Sequence, residues 1–162
     1  MKNPLSLGKR RQAFLVVLCS FGALYAWPAS VGAQGTAVEI EALLASDAIT
    51  YAQASRFVLE AADAAMFDDS AEAFRFAMER DWLPGSASPD APARLDSISL
   101  LLMRSFGLRG GILFTLTESA HFAYREMEYM GFIHGRVSPR QRVSGDTLLY
   151  LTGRVLAHVE EN

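Results

Sequence analysis

Shifted by 50 positions, residues 73–106 of this chain lie over 123–156 without a gap. Identities fall at Ala73/Ala123, Arg75/Arg125, Gly85/Gly135, Ser88/Ser138, Pro89/Pro139, Asp96/Asp146, Leu101/Leu151 and Arg104/Arg154. Chance pairing at ordinary composition supplies roughly two. Conservative pairs accompany them: Phe74/Tyr124, Trp82/Phe132, Leu83/Ile133 and Ile98/Leu148. A repeat of this period marks one supersecondary unit used more than once. A single copy cannot bury its own apolar face, so the copies must share a core.

Both copies read as helix, loop, helix. The first helix is expected over 70–81 and again over 118–130, with Asp68, Asp69 and Ser70, then Thr117 and Ser119, as capping residues. An aromatic–aliphatic pair closes each (Trp82-Leu83, Phe132-Ile133), and Gly85 or Gly135 is expected to allow the turn. A short loop runs to Pro89 or Pro139. A second helix opens near Arg94 or Ser144, with Asp96 or Asp146 at the positive end of its dipole. Leu95, Ile98, Leu101, Leu102 and Phe106 make 93–106 apolar on nearly all sides, so this helix is expected at the centre, ending at Gly107. Residues 49–62, ITYAQASRFVLEAA, match the second-helix half once more, with Ile49, Ala54 and Phe57 over Val143, Leu148 and Leu151. Ahead of them, Val38, Ile40, Leu43 and Leu44 suggest only a short helix. The linker 110–116, GGILFTL, fits an extended or a helical segment. The expected fold is all-α, a single domain with a partial unit at 36–66 and full units at 70–107 and 118–159.

Residues 1–33 are expected to be a leader rather than part of that domain. Lys2, Lys9, Arg10 and Arg11 precede the apolar run 13–27, and PASVGA (28–33) ends with small residues at its last and third-last places. This is the layout of a secretory signal peptide with cleavage after Ala33. The run is short for a bilayer-spanning helix, which takes roughly 20 residues, so an uncleaved anchor is the lesser alternative. Lipidation at Cys19 is disfavoured by the large Leu18 before it. The four leader cations are among 15 basic residues, and no acid lies in the leader. Residues 34–162 therefore carry 11 arginines against 18 acids, a net charge of −7 with histidines neutral. Such a domain is a poor partner for nucleic acid. With Cys19 the sole cysteine, disulfide, Cys–zinc and Cys-nucleophile chemistry are excluded from residues 34–162. An exported location, periplasm or cell envelope, follows.

The glycine-containing loop, the proline and the helix opening resemble S-layer homology domains. That family packs three such units about a pseudo-threefold axis, each second helix opened by an Ile-Thr-Arg-Ala-Glu-like motif. The three openings here are Ile49-Thr50-Tyr51-Ala52-Gln53, Ala93-Arg94-Leu95-Asp96-Ser97 and Val143-Ser144-Gly145-Asp146-Thr147. The resemblance spans about 49–156. It implies the packing of the units and, through the motif's arginine, contact with anionic wall polymers. At that arginine's place stand Tyr51, Leu95 and Gly145, with Arg94 one position away. The runs FAYREMEY (122–129) and VSGDTLLY (143–150) are also similar to runs in small exported spirochaete envelope proteins.

Few residues suggest chemistry. His121 has Glu118 three positions back and Arg125 four ahead, a spacing that puts a base beside a carboxylate on one helix face. No nucleophile accompanies them beyond Ser119, so a solvated face is the plainer reading. His121, His134 and His158 have no metal-ligand spacing, and no cofactor motif is present. Arg75 with Asp96, and Arg125 with Asp146, recur at one separation and are expected as ion pairs joining the helices of each unit. Arg136, Arg140 and Arg142 form a basic stretch with no acid between Glu128 and Asp146; with Arg94 they are the candidate binding residues for an acidic polymer or partner. The expected function is a non-enzymatic envelope module that binds another envelope protein. The alternatives are anchoring to a wall or envelope polysaccharide, and a hydrolase centred on His121.

Overall fold

The computed structural model describes residue 38 and residues 40–161; the expected leader, 1–33, lies outside the described residues. A short helical stretch over 40–44 (α1) comes first. It is followed by α2 (Tyr51–Ala61), α3 (Ser70–Glu79), α4 (Leu95–Ser105), α5 (Ile112–Thr117), α6 (Ala120–Tyr129) and α7 (Gly145–Glu160). The described chain is mostly helical, as expected. Its extended backbone amounts to two isolated antiparallel bridges, Thr50–Pro92 and Arg94–Arg142.

Local chemistry sets the helix ends. Thr50 and Gln53 form a reciprocal capping box on α2, and Asp69, Ser119 and Ser144 cap α3, α6 and α7. Arg94 gives α4 no side-chain cap. Backbone carbonyls of the following loop serve instead: Leu95 N donates to Gln141 O at 2.9 Å and Asp96 N to Pro139 O at 2.8 Å. Tyr51 N and Ala52 N of α2 meet Ala91 O and Pro89 O in the same way, both at 3.1 Å. Pro89 and Pro139, paired in the sequence, thus terminate loops whose carbonyls hold a neighbouring helix.

At the C-termini the chain turns on left-handed residues, Asp63, Asp81, Gly107 and Gly131. In each case the next amide reaches back over one turn, as Trp82 N does to Ala77 O and Phe132 N to Met127 O, both at 2.9 Å. This corrects one expectation. The turn after α3 is made at Asp81, not Gly85, whose φ is ordinary; Gly135 is left-handed at +81°, but Gly131 has already ended α6. Glu118 is also left-handed, so α6 starts at Ala120 rather than at 118.

The core lies where the chain segments that open α2, α4 and α7 meet. Ile49 N donates to Val143 O at 2.9 Å, Val143 N to Ala93 O at 3.0 Å, and Ala93 N to Ile49 O at 2.8 Å. These three residues close a triangle of backbone hydrogen bonds and are all buried. From it run α2, α4 and α7, with α4 central: every residue from Leu95 to Met103 is buried. Around them α3 packs on α2 and α6 on α4. Ala73, Phe74 and Ala77 face inward from α3, and Ala123, Tyr124 and Met127 from α6.

Candidate functional site

A hydrogen-bonded polar cluster surrounds the opening of α4. Asp96 is buried, and its Oδ1 accepts from Ser97 N at 2.8 Å and Ser97 Oγ at 3.2 Å. Tyr51 OH donates to Ser97 Oγ at 3.1 Å, tying α2 to α4. Arg94 Nη2 donates to Asp96 Oδ2. The antiparallel bridge sets Arg94 opposite Arg142, two like charges that repel unless a carboxylate stands between or beside them, as Asp96 does. Arg94 Nε is buried with no hydrogen-bond partner, while Arg140 and Arg142 are exposed beyond it, as is Arg136 in the same loop.

Two sequence expectations are corrected here. Arg75 does not reach Asp96; it is exposed on α3 and pairs with Glu72 at 3.5 Å. Asp96 is turned inward and taken by Arg94. Likewise Arg125 pairs with Glu128 at 3.9 Å, and Asp146 stays exposed on the first turn of α7. The reason is the packing order. α3 lies on α2 and α6 on α4, so Arg75 is not turned toward Asp96 of α4, nor Arg125 toward Asp146 of α7. The His121 cluster does not assemble either. Glu118 lies outside α6 and its carboxylate pairs with Arg104, leaving His121 exposed against the edge of the Phe122 ring at 5.3 Å. Among the described residues no three His, Cys, Asp or Glu side chains come together as a metal-ligand set.

No family model, curated protein or solved structure matches the chain.

An exposed apolar surface was hidden in the linker. The α2–α3 connection runs over 62–69, whereas the α4–α6 connection runs over 106–119 and holds α5 as extra chain. Of this six-residue helix only Phe114 is buried. Ile112, Leu113 and Leu116 are 86, 57 and 79% exposed. Gly111 lies against the Glu126 carboxylate, which sets α5 beside α6 as a hairpin. Tyr129, counted with the core aromatics by composition, is 89% exposed near the end of α6. The signal was present in the apolar spacing at 112, 113 and 116 together with the unequal connection lengths. A further groove of about 450 Å³ opens beside α2, lined by Ile40, Leu43, Phe57 and Ala61 with Arg56 and Glu60 at its polar side. Among the described residues no helix is long and apolar enough to cross a membrane.

Proposed function

We propose that this chain is an exported, non-enzymatic module of the cell envelope that holds another envelope protein, built as three turns of one unit in the S-layer homology manner. The backbone triangle Ile49–Ala93–Val143 supports the architecture, because each corner opens one second helix and each makes the same donation to the next. In this reading α3–α4 and α6–α7 are full units and α2 is the second half of the first.

One observation carries the functional reading: α5 turns three large aliphatic side chains to solvent on a segment the duplicated unit does not require. Burying each against a partner is worth about 1.5–3 kcal/mol. A contiguous apolar patch of this kind marks an interaction surface. A photo-crosslinker at Leu116, used in the native envelope, is expected to trap one protein of defined mass, and Leu113→Asp is expected to abolish the product. Capture no more specific than from a crosslinker at Glu160 refutes the reading.

A second reading, anchoring to an acidic polysaccharide, is favoured by the Arg94–Arg142 bridge with its unpartnered buried Nε. Retention of the chain on purified envelope polysaccharide, lost on Arg94→Gln with Arg142→Gln and weakened by salt, is its expected signature.

A further inference from the structure

We propose that α5 is a hinged strap, held shut on the domain by side chains alone, with Arg104 of α4 as its latch. When the latch releases, the strap swings off as a unit. The ring of Phe114 then joins the three aliphatic side chains already outside. The proposal rests on the reading of α5 as the partner-binding segment and supplies its regulation: the partner engages the open strap.

Backbone hydrogen bonds fix the strap at its two ends and nowhere between. Before it, Leu108 N donates to Met103 O at 2.8 Å; after it, Ala123 N donates to Ser119 O at 3.0 Å. Over 109–118 such bonds stay within the segment, as Thr115 N to Gly111 O at 3.0 Å and Glu118 N to Phe114 O at 2.7 Å. None joins it to another helix among the described residues. The Thr115 and Thr117 hydroxyls also turn back, onto Gly111 O at 3.1 Å and Leu113 O at 2.7 Å. Of α5 only Phe114 is buried. Arg104 holds this anchor twice over. Its guanidinium lies 5.7 Å from the centre of the Phe114 ring and pairs with the Glu118 carboxylate. Gly110 and Gly111 ahead of α5, and the left-handed Glu118 behind it, are the turning points.

The closed position is only weakly favoured. Glu118 sits at φ 49°, an uncommon backbone for a residue with a Cβ. Arg104 Nε is buried without a hydrogen-bond partner, a desolvated donor that opening returns to water. Ile112, Leu113 and Leu116 gain nothing from closure, since they stand in solvent with the strap shut. On the other side are the burial of one ring and one ion pair. Its partners are 25 and 55% exposed, so water and salt weaken it. A segment balanced in this way opens locally while the rest of the domain stays folded. A partner whose apolar groove takes four side chains rather than three binds the open form better, and so draws the population toward it.

Hydrogen exchange and hydroxyl-radical footprinting of the full chain, both read by mass spectrometry, test the strap. The amides of 115–118 should exchange together and well ahead of those of α6. Arg104→Gln should raise that exchange and the oxidation of Phe114 severalfold, leaving the amides of α2, α6 and α7 unchanged. Raised salt should act in the same direction on the parent and add little in the variant. Two neighbouring glycines give the control. A Cβ on Gly110 would meet the Phe114 Cδ1, Cγ and Cβ at 2.5–3.0 Å, so Gly110→Ala should open the strap. A Cβ on Gly111 meets only the flexible end of Glu126, at 2.8 Å, so Gly111→Ala should leave it shut. Strap exchange no faster than that of α6, variants that move every helix alike, or two glycine variants that act alike overturn the proposal. The Leu116 photo-crosslinker separates it from the partner reading. Capture that rises in Arg104→Gln supports both; capture unchanged or lower overturns the partner's preference for the open strap. A strap that opens with no specific capture sinks the partner reading and keeps the hinge.

Discussion

Gly145 and Gly153 stand in one helix, yet the same change to alanine is expected to have opposite signs. At Gly153 the added methyl meets nothing within 4 Å and the backbone is helical, so the substitution only restores helix propensity. Alanine exceeds glycine by about 0.8–1.0 kcal/mol in a helix interior. For a domain of this size that raises the melting temperature by roughly 3–5 °C. At Gly145 the methyl would overlap the Leu43 carbonyl oxygen, part of the backbone that packs on the first turn of α7. Gly145 N also donates to Ser46 O at 3.0 Å, so the two segments cannot part without losing that bond. Overpacking of this kind costs about 1–3 kcal/mol. Thermal and urea unfolding followed by helix circular dichroism measures both. A Gly153→Ala protein less stable than the parent refutes the open space at Gly153. A Gly145→Ala protein of parental stability refutes the close passage of 43–46.

Four other outcomes are expected. Thr152 Oγ1 is buried on α7 with no hydrogen-bond partner; Thr152→Val should stabilise the chain by about 1 kcal/mol in urea titration, since it removes a desolvated hydroxyl at nearly constant shape. Tyr124 OH donates to Val137 O at 2.6 Å, and Tyr124→Phe should cost about 0.5–1.5 kcal/mol. Burial first, and Glu128 second, push the Tyr124 hydroxyl above the usual 10.0, against a smaller opposing pull from Arg125. Its contribution to stability is therefore whole below pH 10 and declines as pH rises further, which an absorbance titration paired with unfolding at high pH should show. Leu101→Ala, at the fully buried centre of α4, should cost about 2–5 kcal/mol, and a smaller loss on chemical denaturation would mean that α4 is not the core helix.

The helices were legible because their determinants are local. Asp69 and Ser119 act as the caps their side chains suggested, and the apolar residues on nearly all sides of 93–106 placed α4 at the centre. The left-handed turns were less legible because Asp81 turns the chain after α3 as Gly131 does after α6, and aspartate carries no strong turn signal by itself. The ion pairs could not be read at all. Their recurring separation suggested contact between α3 and α4 and between α6 and α7, whereas α3 packs on α2 and α6 on α4, which sequence spacing does not encode. The exposure of α5 depended in the same way on which face found a neighbour.

Tyr51, Leu95 and Gly145 open α2, α4 and α7 at places where an exposed cation has no room. All three are buried, two as side chains in the core and the third beneath the 43–46 backbone. A cation at any of these places would be drawn out of water with no carboxylate provided for it, at a cost of several kcal/mol. The same positions therefore cannot display charge to a polymer outside. Arg94, one residue earlier, is half-buried and pairs with Asp96, so its charge is partly spent on that carboxylate. What the surface does offer is apolar: Ile112, Leu113 and Leu116 on α5, and Tyr150, Leu156 and Val159 on α7. With an excess of acids over arginines in residues 34–162, that distribution supports the proposed protein partner, gripped by side-chain burial, over the alternative proposal of a polyanion gripped by charge.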